Sequence, residues 1–270
     1  MKIGNKEFDI KNHCYIMGIL NVTPDSFSDG GKWNDLERAK DHVARMIDEG
    51  ADIIDVGGES TRPGHIQITV QEEIDRVLPY IKMIKENFDV PVSIDSYKSQ
   101  VVEAALKAGA DMVNDIWGLK YDRRVAELIA EYGVACCLMH NREKAEYQDF
   151  AAEILSDMEE TLAIAREAGI QDQQIILDPG VGFGKTYEHN LIAINRLEEL
   201  CGLGYPVLLA TSRKSVIGTA LDLPVDQRVE GTAATSVIGV MKGAAFVRVH
   251  DIKENYRAIQ MTRAILREGK

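Results

Sequence analysis

Hydrophobic residues in this chain come in short runs, each ending abruptly in a polar cluster, and the runs recur from one end to the other. Rich in β-branched residues, they fall at 15–20, 52–56, 91–94, 112–116, 134–139, 174–177, 207–210 and 245–249, eight candidate strands. Several lack the alternation of a half-solvated strand. That is expected of parallel strands covered by helices on one face and filled by side chains on the other. Between them the hydrophobic period lengthens to that of helices, at 36–49, 71–87, 98–108, 122–132, 153–167, 190–200 and 231–242. Helix and strand alternate throughout.

The joints repeat as well. Gly50-Ala51-Asp52, Gly109-Ala110-Asp111 and Gly243-Ala244-Ala245 each stand between a helical pattern and a strand, where glycine can supply a left-handed cap. No Pro/Ser-rich linker interrupts the series. Eight βα units in one run predict an α/β fold, a (β/α)8 TIM barrel spanning 1–270 as a single domain. Residues 1–12 alternate around Gly4-Asn5 and predict an N-terminal β-hairpin closing the barrel bottom.

Composition narrows the partners. The 270 residues are 45% hydrophobic and 27% charged, enough apolar material for a sizeable core. Net charge is -12 and no run of Lys and Arg forms a basic stripe, which argues against nucleic acid. The apolar stretch 14–20 is too short for a signal sequence or a membrane span, so a cytoplasmic protein without membrane contact is expected. Cys14, Cys136, Cys137 and Cys201 lack ligand-like spacing and read as free thiols.

In a barrel the C-terminal strand ends converge on one mouth, so position selects the candidate residues. A long polar loop with a Gly-Gly end, 21–31, follows the first run, and Gly57 to Gly64 follows the second; both suit lids over a ligand. Asp95, Asn114 and Asp178 stand at equivalent strand ends. A carboxylate facing inward there is costly to desolvate unless a ligand donates to it, and an aminopyrimidinone ring carries adjacent N–H and NH2 donors that match two carboxylate oxygens. Lys214 after the seventh run, with Arg248 and His250 on the eighth, predicts a local cationic pocket where barrels often hold phosphate. The stretch 180–186 imitates a P-loop, but Pro179 stands where its first glycine is required. His13, His42, His65 and His189 read as surface or packing residues, while His140 is open to either reading.

Taken together, MGILNVTPDSFSDGG, DVGGESTRPG, SIDSYK, VNDIWG, LDPGVGFGKT, TSRKS and RVHD closely resemble the dihydropteroate synthase family, in order and over nearly the whole chain. The resemblance implies condensation of 7,8-dihydropterin-6-ylmethyl diphosphate with p-aminobenzoate, with magnesium (Mg2+) present, as a step of folate biosynthesis. It implies that Asp95, Asn114, Asp178 and Lys214 hold the pterin ring, with Met139 packing against it. Diphosphate would meet Asn21, Arg248 and His250, with Asn21 beside the metal and Thr61 and Arg62 approaching from above. Asp29 would stabilise a cationic pterin, which places catalysis on Asp29, Thr61, Arg62 and Lys214. Phe27, Pro63, Phe183, Lys214 and Ser215 would line the aminobenzoate slot, where sulfonamides should compete. The family also suggests a homodimer packed through outer helices, here near 231–242.

The chain departs from the commonest family pattern at Leu138-Met139-His140-Asn141-Arg142, where many members continue with Met-Gln-Gly, so 141–150 transfers poorly. His65 also stands where a small residue is frequent. A pterin-dependent corrinoid methyltransferase would share Asp95, Asn114 and Asp178 but needs no anion site. A catalytically silent barrel acting as a binding subunit is the third alternative.

Overall fold

The computed structural model describes residues 1–23, 32–59 and 67–268, with the backbone alone at 32–34. A short hairpin, β1 (Lys2–Ile3) and β2 (Lys6–Glu7), pairs Ile3 with Lys6 across the Gly4-Asn5 turn. Eight parallel strands follow: β3 (Tyr15–Asn21), β4 (Ile53–Gly57), β5 (Val92–Asp95), β6 (Met112–Asp115), β7 (Ala135–Met139), β8 (Ile175–Asp178), β9 (Leu208–Leu209) and β10 (Phe246–Val249). Their order is β8-β7-β6-β5-β4-β3-β10-β9, and a parallel bridge from Leu177 to Val207 joins the two edges into a ring. Each predicted run therefore became a strand, shifted by a residue or two.

The helices alternate with them: α1 (Lys32–Asp48), α2 (Val70–Asn87), α3 (Ser99–Lys107), α4 (Arg124–Tyr132), α5 (Phe150–Glu167), α6 (Tyr187–Asn195), α7 (Leu197–Cys201), α8 (Ser215–Leu221), α9 (Val229–Met241) and α10 (Ile252–Leu266). Local signals account for several starts. Thr69 accepts from the Glu72 N–H, Asp149 from Ala152 and Thr186 from His189, each satisfying a backbone donor that the first helical turn leaves open. Gly50, Gly109 and Gly243 adopt positive φ, as their position at the joints requires. The pattern at 190–200 proved to be two helices with a break at Arg196, since one non-helical residue barely disturbs a 3.6-residue period. The helices at 215–221 and 252–266 were not among those expected.

Two apolar layers hold this together. Outward strand residues such as Ile54, Val92, Val113, Leu138, Leu177 and Val247 pack against the helices. Their inward neighbours Met17, Ile53, Met112, Cys137, Ile176, Leu208 and Phe246 fill the lower barrel. Ile3 and Phe8 from the hairpin segment join that inner cluster, and Phe8 meets Tyr15 edge-on at 4.8 Å, so the hairpin closes the bottom as expected. All four cysteines are free thiols. Among the described residues no helix is long and apolar enough to cross a membrane.

Candidate active site

Alternation along each strand carries the inner face from hydrocarbon to polar groups within two residues. Above Ile53 comes Asp55, above Met112 comes Asn114, above Ile176 comes Asp178 and above Phe246 comes Arg248. Strand register sets Asn21 beside Gly57, Gly57 beside Asp95 and Asp95 beside Asn114. Groups far apart in sequence thus share one rim.

The centre of that rim is an ion cluster. Arg248 donates through Nε to Asp55 Oδ2 at 2.6 Å and through Nη2 to Asp95 Oδ2 at 2.6 Å, while Asn114 Nδ2 donates to the same Asp55 oxygen at 3.1 Å. The Asp55 side chain is 0% exposed and that of Arg248 16%. Burial pushes the Asp95 carboxyl above its ordinary range, with Arg248 opposing and Asp55 reinforcing the shift. Among the described residues, Asp55 Oδ1, Asp95 Oδ1 and Ser93 Oγ are buried without any hydrogen-bond partner. An orphaned buried acceptor costs about 1–3 kcal/mol, so several together mark a place where a donor-bearing ligand is accommodated.

A second group lies across the mouth. Asp178, also raised by burial, accepts the Gly180 N–H at 2.7 Å. Lys214 donates to the Val181 carbonyl at 2.5 Å and stands 4.9 Å over the Phe183 ring. Burial brings its ammonium down to about 8, with Asp178 resisting. Met139 packs with Tyr97, Ile116, Trp117 and Phe183, an apolar wall beside the acids. Ser212 Oγ and His250 Nδ1 are 2.9 Å apart, and Ser215 is exposed at the start of α8. Arg213 is taken up by Asp251.

The structure thus brings Asn21, Asp95, Asn114, Met139, Asp178, Phe183, Lys214, Ser215, Arg248 and His250 to the mouth end of the barrel. Phe27, Asp29, Thr61, Arg62 and Pro63 lie outside the described residues. At Arg248 two carboxylates occupy the Nε and Nη2 donors, so an anion would meet what remains of the guanidinium. Sequence reasoning missed Asp55. Its signal was legible: one acid inside an apolar run, at inward parity with Ile53. It also missed Lys98, which joins Glu59 at 2.6 Å and Glu73 at 2.8 Å while Glu59 accepts the Ile68 N–H, tying together the chain on both sides of 60–66. The P-loop imitation is a different device. The N–H groups of Gly180, Gly182 and Phe183 serve Asp178, Asn190 and the Gly180 carbonyl, whereas a phosphate cradle needs them pointing outward.

Barrel and rim together define an enzyme-type (β/α)8 protein whose mouth sets buried acids with orphaned oxygens beside an apolar wall, chemistry that suits a flat, donor-rich heterocycle. A family model described as pterin binding enzyme matches residues 17–250. A dihydropteroate synthase of Clostridium beijerinckii is 62% identical over 268 residues, covering 99% of this chain and 100% of that one. The crystal structure of a Clostridium difficile dihydropteroate synthase, determined in the presence of pteroic acid, superimposes with a TM-score of 0.94 at 51% identity over 97% of this chain and 100% of that one. The Xanthomonas albilineans enzyme with 4-aminobenzoic acid gives 0.90 at 39% identity over 94% of each. The chain belongs to the dihydropteroate synthase family of pterin-binding enzymes.

Proposed function

We propose that this protein joins 7,8-dihydropterin-6-ylmethyl diphosphate to p-aminobenzoate, forming 7,8-dihydropteroate and diphosphate for folate biosynthesis. The observation that carries the reading is the set of inward acids, Asp95 with an orphaned buried oxygen and Asp178 beside Lys214, in a chain of this family. The pterin N–H and NH2 groups would donate to these acids, with Asn114 reading the neighbouring edge and Met139 against the ring face. Arg248 bridges Asp55 and Asp95 and so spaces them for that contact.

The C–O bond to diphosphate breaks as the electron-rich dihydropterin takes up positive charge at the methylene carbon. The aryl amine then attacks that carbon as its neutral form, and one proton leaves the nitrogen. Lys214 offers positive charge and His250 a hydrogen bond toward the departing anion, and Asp29 would stabilise the pterin cation. Thr61 and Arg62 would act on the diphosphate, and Phe27, Pro63, Phe183 and Ser215 would line the amine slot. Among the described residues no cluster of three His, Cys, Asp or Glu side chains could hold a metal. Asn21 still suits magnesium, which commonly takes only one or two protein oxygens together with substrate phosphates. When bound there, it would neutralise charge on the diphosphate.

The reading treats 1–270 as one cytoplasmic domain that pairs with a second copy. Ile238 and Met241 of α9 and Tyr256, Met261, Ile265 and Leu266 of α10 are large apolar side chains left exposed on two helices packed against each other. That surface supports a homodimer through α9 and α10.

The test is steady-state release of diphosphate by the purified protein. Release should require p-aminobenzoate and be competed by a sulfonamide. Release at the same rate without the amine, or none with both substrates present, would overturn the assignment. A corrinoid methyltransferase would release none.

A further inference from the structure

The segment 140–149, which overlaps the 141–150 stretch that transfers poorly from the family pattern, lies directly against the loop joining β8 to α6. The two backbones touch at two points. A Cβ added to Gly180, at φ +68°, would fall 1.9 Å from the His140 carbonyl oxygen. One added to Gly184, at φ +53°, would fall 2.3 Å from the Arg142 carbonyl oxygen. Glycine at both positions permits the left-handed turn and the close approach.

Side chains complete the contact. Tyr147 donates its hydroxyl to the Gly184 carbonyl at 2.8 Å. Lys185 Nζ lies 2.8 Å from His140 Nδ1, 3.0 Å from the Phe183 carbonyl and 3.3 Å from the His140 carbonyl, three acceptors around one nitrogen whose titration burial brings down to about 7. On its far side His140 Nε2 is 2.9 Å from Asp157, which also receives Arg142 Nε at 2.6 Å. Against the cost of burial, hydrogen bonds from His140 and Arg142 hold the Asp157 carboxyl well below its ordinary range, so it can only accept. His140 therefore carries its proton on Nε2 and turns the Nδ1 lone pair to Lys185. The Arg142 guanidinium also covers the Tyr147 ring at 4.4 Å and reaches Glu153.

What rests on this platform is Phe183, one residue from Gly184 and two from Lys185. We infer that Lys185, His140 and Tyr147 are positioning residues that fix the 180–184 loop and so set the Phe183 ring beside Lys214, making 140–149 a determinant of affinity for the aryl amine. The inference builds on the reaction proposed above, in which Phe183 lines the amine slot.

The variants Lys185→Met and Tyr147→Phe test it, the second removing one hydroxyl and leaving the ring packing. Lys185→Met should raise KM for p-aminobenzoate about tenfold and Tyr147→Phe about threefold, while kcat and the pterin Kd measured by calorimetry stay within about threefold. Amide exchange across 181–184, which needs no substrate, should accelerate about tenfold in Lys185→Met with the barrel strands unchanged. Unchanged KM for the amine in both variants, or equal loosening of both substrates, overturns the inference. Unchanged exchange in Lys185→Met overturns the brace whatever the protein catalyses. Absence of amine-dependent diphosphate release from the unmodified enzyme overturns the reaction instead, and with it the role in amine affinity.

Discussion

The lower and upper halves of the barrel interior are built from the same strands and have opposite chemistry. Below, Met17, Ile53, Met112, Cys137, Ile176, Leu208 and Phe246 interlock with Ile3 and Phe8. Two residues higher on several of these strands stand Asp55, Asn114, Asp178 and Arg248, and there Asp55 Oδ1 and the neighbouring Asp95 Oδ1 lack partners among the described residues. Burying apolar area stabilises the lower half by roughly 25 cal/mol per Å2, whereas buried charges at best offset their own desolvation. The floor therefore holds the fold, and the mouth is a local cost carried by it. A mouth made only for stability would resemble the floor.

Three measurements can break that contrast, beginning with the largest effect. Phe246→Ala should lower unfolding free energy by about 3–5 kcal/mol in urea, with pterin affinity of the folded fraction unchanged. A loss below about 1 kcal/mol would mean that the floor does not carry the barrel.

The second concerns pH. Burial holds the His140 imidazole down to about 4, while an unfolded imidazole titrates near 6.5. Between those values the unfolded chain binds the extra proton, so stability falls as pH is lowered from about 6.5 to 4, by up to about 3 kcal/mol. Asp95 and Asp115 run the opposite way, since burial raises both and the folded state binds their protons first. The effect is therefore read as a difference between the unmodified protein and His140→Asn, which should lack this component. Parallel stability–pH curves for the two would remove it.

The smallest of the three is Asp178→Ala. It should weaken pterin binding about 100-fold, about 2.7 kcal/mol, in calorimetry while thermal stability holds or rises. Equal affinity would place the heterocycle elsewhere.

Much of this was legible along the chain, and the omissions share a cause. The eight strands were visible because hydrophobic runs and their polar ends are local signals. Asp95 and Asp178 stood out because each directly follows such a run, and Asn114 because it opens the polar pair Asn114-Asp115 near the end of one. Asp55 did not, since a single acid within an apolar run is read as part of the strand until its inward parity is counted. Nor could any local pattern show that Arg248 would be engaged by Asp55, 193 residues away, and by Asp95. The 140–149 segment matched no familiar motif, and its contacts with Gly180, Gly184 and Lys185 depend on two adjacent strands ending at the same height.

The sequence by itself determined the alternation of strand and helix, the apolar floor and the inventory of polar groups at strand ends. These follow from periodicity and from where hydrocarbon stops, both properties of neighbouring residues. Only the tertiary structure decided which acids Arg248 grips, which oxygens are left without donors and which loop supports Phe183. Those outcomes depend on the stagger between hydrogen-bonded strands, and a shift of one residue would turn every inward side chain outward.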